Sequence, residues 1–177
     1  PHMIFKTLTI AFLGIAAISV ANAQQTTTGP QALAEPKVPD QAMPAEQPVP
    51  PAEPDNILDL ALSTGGTVRI QLRPDKAPNS VERIKVLTRR GFYNGLIFHR
   101  VIEGFMAQTG DPKGDGTGGS DLPDLKAEFN DLPHVRGTMS MARANSPDSA
   151  NSQFFIMLSP NLLLDGKYTA VGRVISG

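Results

Sequence analysis

Half of the sixteen prolines in this 177-residue chain fall between Gln24 and Asn56. Pro30, Pro36, Pro39, Pro44, Pro48, Pro50, Pro51 and Pro54 are interleaved there with Ala, Gln and acids, and with few large apolar residues. Such a stretch buries too little apolar surface to offset the conformational entropy lost on ordering. It is expected to stay disordered or partly polyproline II. Residues 24–56 therefore read as a linker, and any packed domain has to be built from residues 57–177.

The residues before the linker read as an address. Pro1-His2 ahead of Met3 resembles a cloning scar. Residues 3–23 then follow the order of a secretory signal peptide: Lys6, an apolar run from Leu8 to Val20, and Ala21-Asn22-Ala23 before Gln24. Cleavage is expected after Ala23. The apolar run is shorter than the roughly twenty residues of a membrane span, so no stable insertion is expected once the signal is removed. No cysteine follows to carry a lipid, and the chain has none anywhere. A periplasmic location is the expectation.

In residues 57–177 the pattern changes to short alternations. Ile57–Leu62 and Thr67–Leu72 alternate apolar and polar around Gly65-Gly66, which predicts a hairpin. Ala77–Arg90 carries a helical spacing through Val81, Ile84, Val86 and Leu87, ended by Gly91. Further strands are expected at Ile97–Val101, Phe105–Gln108, Gly137–Ala142, Phe154–Leu158 and Thr169–Ile175. Mostly strand with one helix predicts a mainly β domain, an antiparallel sheet closed into a barrel without free edges.

Three segments carry the chemistry. Phe98–Asp111 places Arg100, the apolar pair Phe105-Met106 and Gln108 on one extended stretch. Ser152-Gln-Phe-Phe-Ile156 and Leu164-Asp-Gly-Lys167 follow. Phe154 and Phe155 are neighbours in a strand, so they point to opposite faces and one of them belongs to the core. Arg100 offers a permanent charge and a rigid fork of donors. Nothing in these segments asks for a metal, nucleotide or redox cofactor, and none is expected.

Together the three segments resemble the signature of the cyclophilin family of peptidyl-prolyl cis-trans isomerases. The resemblance implies an eight-stranded closed antiparallel barrel with capping helices. It also implies that a second helix and a last strand, which follow the Val171–Gly177 segment in that family, are missing here, so that the domain is C-terminally incomplete. The family's catalytic arginine falls on Arg100. Its pocket and backbone-binding residues fall on Phe105, Met106, Gln108, Ala142, Arg143, Phe155, Leu164 and Tyr168. Proline-containing polypeptides are the implied partners, and the protein is expected to be a monomer. Leu163 stands where many eukaryotic members carry a tryptophan that helps bind cyclosporin, Arg143 where they carry asparagine, and Tyr168 where they carry histidine. The Met141-Ala-Arg143 run is similar to the bacterial branch, and only weak cyclosporin binding is implied.

Prolyl isomerisation suits these residue types. The peptide C–N bond resists rotation by roughly 18–20 kcal/mol, and uncatalysed X-Pro exchange takes tens to hundreds of seconds. Millisecond turnover requires removing on the order of 6–7 kcal/mol. No bond breaks, so no nucleophile or base is needed. A donor aimed at the prolyl nitrogen as it loses conjugation and an apolar grip on the ring are sufficient in kind. His99 accordingly reads as structural.

Other classes fit less well. Gly114-Asp-Gly-Thr-Gly-Gly119 lacks the Gly-Lys-Ser/Thr ending of a phosphate loop and reads as a mobile surface loop bordering the groove. Ser140, Ser146, Ser149 and Ser152 offer no Gly-x-Ser-x-Gly elbow, which disfavours a serine hydrolase. The linker carries one lysine against five acids and residues 57–177 fourteen basic residues against twelve acids. A net of +2 is too mild for nucleic acid. Two alternatives to an isomerase assisting exported proteins stay open: a proline-segment-binding chaperone or assembly module with incidental turnover, and a non-catalytic envelope domain.

Overall fold

A computed structural model describes residues 53–177. The expected scar, the signal peptide and all but the end of the expected linker lie outside the described residues. The last residues of the linker, Pro54–Asn56, form one 3-10 turn that leads directly into the first strand.

Seven strands follow: β1 (Ile57–Ala61), β2 (Thr67–Leu72), β3 (Arg100–Ile102), β4 (Met106–Thr109), β5 (Thr138–Met141), β6 (Phe154–Met157) and β7 (Ala170–Ser176). They make one antiparallel sheet in the order β1-β2-β7-β5-β6-β4-β3. The β1–β2 hairpin turns at Gly65 and Gly66, both at positive φ, as the Gly-Gly pair requires. Bulges between Arg69 and Ile70 and between Met139 and Ser140 add twist and curl the sheet into a half-barrel.

Three expectations are corrected. Among the described residues the sheet has seven strands rather than eight and does not close. Its end strands β1 and β3 are not paired with each other, and a cavity of about 670 Å³ separates β1 from the Asn94–Phe98 segment. A single α-helix is present among the described residues besides the 3-10 turns Pro54–Asn56 and Leu162–Leu164, where capping helices were expected. The strand expected at Ile97–Val101 forms instead at Arg100–Ile102. Ladder pairing reaches only as far as the tight turn at Gly104 permits, matching Ile102 with Met106 and Arg100 with Gln108. Outside the ladder, the Ile97 carbonyl accepts from Thr109 Oγ1 at 2.9 Å.

The helix α1 (Pro78–Arg89) buries Val81 and Ile84 against the concave side of the sheet, where Ile70, Met139, Phe154 and Val171 are fully buried, and Leu87 on the same helix is buried as well. Pro78 starts it and Gly91 ends it. The Gly91 and Phe92 N–H groups donate to the Thr88 and Leu87 carbonyls, which closes the last turn with a left-handed glycine. No neighbouring side chain caps its start. Glu128 does so from far along the chain, accepting from the Asn79 and Ser80 N–H groups at 3.0 and 2.8 Å. Burial opposes ionisation of Glu128, but the hydrogen bonds from Ser80 and Asn79 outweigh it and hold the carboxyl below its ordinary range.

Candidate active site

The sheet's convex side carries the site because register aligns one row of residues across four strands. Arg100 on β3 pairs with Gln108 on β4, Gln108 with Phe155 on β6, and Phe155 with Ser140 on β5. Residues paired in this way share a face. Two residues along, Met106 and Met157 form the next pair on that face. Met106, Phe155 and Met157 are buried together, with Phe105, Ala142, Leu164 and Tyr168 packed on them. Phe154, the neighbour of Phe155, lies in the main core. The alternation of the Phe154-Phe155 pair is therefore as the strand pattern requires.

All nine residues singled out in the sequence line one cavity of about 210 Å³. Phe155 and Met106 form its floor from strands, and Ala142 and Arg143 approach from the end of β5. Leu164 and Tyr168 come from the segment around the 3-10 turn Leu162–Leu164. Arg100 is exposed at the rim.

Hydrogen bonds tie the polar members together. Arg100 Nη1 donates to Gln108 Oε1 at 3.3 Å, and Gln108 Nε2 donates to Gln153 Oε1 at 2.9 Å. Gln153 Nε2 in turn donates to the Gly116 and Gly118 carbonyls at 3.0 and 2.7 Å. The sequence reading missed Gln153. The signal was present, since Gln153 belongs to the Ser152–Ile156 segment, but a strand pattern ranks apolar positions and passes over an amide.

The glycine-rich loop does border this groove, and it is firmly anchored. The buried Asp111 carboxylate accepts the N–H groups of Lys113, Asp115 and Gly116 at 2.8, 3.1 and 2.6 Å. Burial pushes that carboxyl up, yet these donors together with the Gly118 N–H more than reverse the effect and keep it below its usual value. Between loop and strands lies a second, more polar cavity of about 410 Å³ that shares Gln108, Ala142 and Arg143 with the first.

Arg143 is not a free donor at the rim. Its guanidinium lies 4.6 Å from the Tyr168 ring centre, a stacking cation–π contact. Its N–H groups donate to the carbonyls of Ala144, Asn145 and Lys167 at 2.9–3.3 Å. His99, read above as structural, has both ring nitrogens buried without a hydrogen-bond partner among the described residues. The cavity offers a fixed cation, a tethered amide and an apolar floor.

Residues 57–177 match the sequence model of the family described as cyclophilin type peptidyl-prolyl cis-trans isomerase/CLD. A probable peptidyl-prolyl cis-trans isomerase of Brucella suis biovar 1 is 55% identical over 137 residues, covering 71% of this chain and 69% of that protein. A peptidyl-prolyl cis-trans isomerase of Synechococcus elongatus is 48% identical over 108 residues, covering 61% of this chain and 73% of that one. Among solved structures, the cyclophilin AquaCyp293 of Hirschia baltica superposes with a TM-score of 0.65 at 31% identity, covering 71% of this chain and 66% of that one. A Cryptosporidium parvum cyclophilin-type isomerase, crystallised in the presence of the dipeptide Ala-Pro, superposes at 0.61 with 35% identity, covering 63% of this chain and 74% of that one.

Proposed function

Because the chain belongs to the cyclophilin-type peptidyl-prolyl cis-trans isomerase family, we propose that it accelerates X-Pro isomerisation in exported proteins and so assists their folding. The observation that carries the site assignment is the convergence of Arg100, Gln108 and seven pocket residues on one cavity. A prolyl ring enters the floor made by Met106 and Phe155, with Phe105, Leu164 and Tyr168 around it. The Gln108 amide, held by Gln153, keeps one N–H to bind the substrate backbone. As the peptide bond twists, the prolyl nitrogen loses conjugation and becomes a hydrogen-bond acceptor. Arg100 donates to it at that stage only. A bond made in the transition state and not in the ground state lowers the barrier.

The exported setting rests on the order of charge, apolar run and small residues through Ala23. Weak cyclosporin sensitivity belongs to the same reading, since the exposed Leu163, next in sequence to the cavity-lining Leu164, carries no aromatic ring. The test is refolding of an exported protein whose slow phase is limited by a prolyl bond. Catalytic amounts of the chain are expected to accelerate that phase in proportion to concentration. Acceleration that needs stoichiometric chain would instead favour a proline-binding chaperone.

A further inference from the structure

Beneath the cavity, three residues from separate segments form a line. His134 is buried, with Nδ1 2.8 Å from Asp165 Oδ1 and Nε2 3.0 Å from Ser140 Oγ. The same Asp165 oxygen accepts the His134 backbone N–H at 2.8 Å. A carboxylate partner places the proton on Nδ1, which leaves Nε2 to accept from the Ser140 hydroxyl. The order serine, histidine, acid is that of a hydrolase triad. Ser140 is fully buried, however, so no substrate carbonyl can reach its Oγ. The line must act on something other than a scissile bond.

What it touches is the proline pocket. The His134 ring lies 6.2 Å from Phe155, inclined by 24°, and 6.5 Å from Tyr168, nearly perpendicular. Phe155 and Tyr168 meet edge to face at 5.6 Å. Ser140 is the cross-strand partner of Phe155. Asp165 lies directly after the 3-10 turn and between Leu164 and Tyr168, both of which line the cavity. The His134 carbonyl accepts the Asn161 N–H at 2.8 Å, so both ends of that turn are tied to the same residue.

Resting on the isomerase reading, we propose that His134, clamped between Asp165 and Ser140, is a positioning residue that fixes Phe155 and Tyr168 and thereby pre-shapes the pocket for the prolyl ring. A pocket that is already ordered spends less of its binding free energy on ordering side chains. Burial of His134 disfavours its charged form more than Asp165 favours it, which keeps the ring neutral and the tautomer fixed.

The test titrates the full chain with an Ala-Pro peptide and records aromatic ring resonances and exchange by NMR. Asp165→Ala is expected to weaken peptide affinity about tenfold, the scale of one lost charge-assisted hydrogen bond, and to shift the Phe155 and Tyr168 ring signals. Asp165→Asn keeps an acceptor oxygen and is expected to stay within about threefold of the parent chain. A folded Asp165→Ala chain with unchanged affinity and ring signals overturns the proposal. Should that variant not fold, Ser140→Ala removes the other anchor, with about threefold weaker affinity expected and unchanged affinity again overturning it. A parent chain that binds peptide without catalysing exchange overturns the isomerase reading alone, and the affinity ratios still decide this one.

Discussion

Arg100, Gln108 and Gln153 pass a hydrogen bond from the cavity rim to the Gly116–Gly118 loop, so each side chain's freedom is limited by the next. Gly118 shows how tight that arrangement is. A Cβ at this position would collide with Asp111 Oδ1 and come within 3.1 Å of Lys113 Cγ. Gly118→Ala is therefore expected to displace the loop, free Gln153 and lower kcat/KM about tenfold, the upper range for one net hydrogen bond. Unchanged kcat/KM would mean that the loop does not support the site. At this scale the sequence was readable through its resemblance to the family, which assigned Arg100 and Phe155 their places. Strand alternation alone left open which of Phe154 and Phe155 faces the site. Gln153 and the His134–Asp165 contact were not readable, because their significance depends on neighbours that no spacing rule brings together.

Elements were read from their periods, and the helix α1 illustrates both the reach and the limit of that reading. Val81, Ile84, Val86 and Leu87 marked its apolar face, of which Val86 is only partly buried, and Gly91 marked its end. Its N-terminal cap could not be seen, because Glu128 reaches Ser80 across 48 residues of chain. Glu128→Ala strands the Asn79 and Ser80 N–H groups and is expected to cost about 1–2 kcal/mol in chemical denaturation, as other lost N-caps do. A loss below a few tenths would show that water replaces the cap. The displaced strand β3 teaches the same lesson: alternation marks an extended segment, but only a pairing partner decides where the ladder runs.

Titration follows from these elements with a definite sign. His134 is held below its ordinary pKa by burial, and Glu128 and Asp111 below theirs by hydrogen bonds that outweigh burial. A group depressed in the folded state adds stability above its unfolded pKa and loses that contribution as pH falls through the folded value. The unfolding midpoint is expected to begin falling below about pH 6.5, where His134 would take up a proton on unfolding, and to fall further below about pH 4. Thermal unfolding followed across that range checks this. A midpoint that rises on acidification would contradict the assignment.

For the whole molecule, the half-barrel places its main core on the concave side and its site on the convex side, with β6 contributing to both. Closure was the feature least accessible to sequence, because a strand's pattern does not state whether the sheet's two ends meet. The chain spans about two thirds of the length of the Brucella and Hirschia relatives, at 69% and 66%. The proposed export is tested at this scale too. Periplasmic protein is expected to begin at Gln24, as N-terminal sequencing would show, whereas an intact Met3 end would contradict a cleaved signal.

The central claim is that Arg100 catalyses by meeting charge that develops as the prolyl bond twists. NMR exchange spectroscopy on an Ala-Pro peptide, with the full chain and with Arg100→Ala, tests it most directly. The account predicts fast exchange with the parent chain, and in the variant a loss of about a hundredfold or more in turnover with peptide affinity nearly unchanged. Equal turnover from both chains, or a loss confined to affinity, would contradict it.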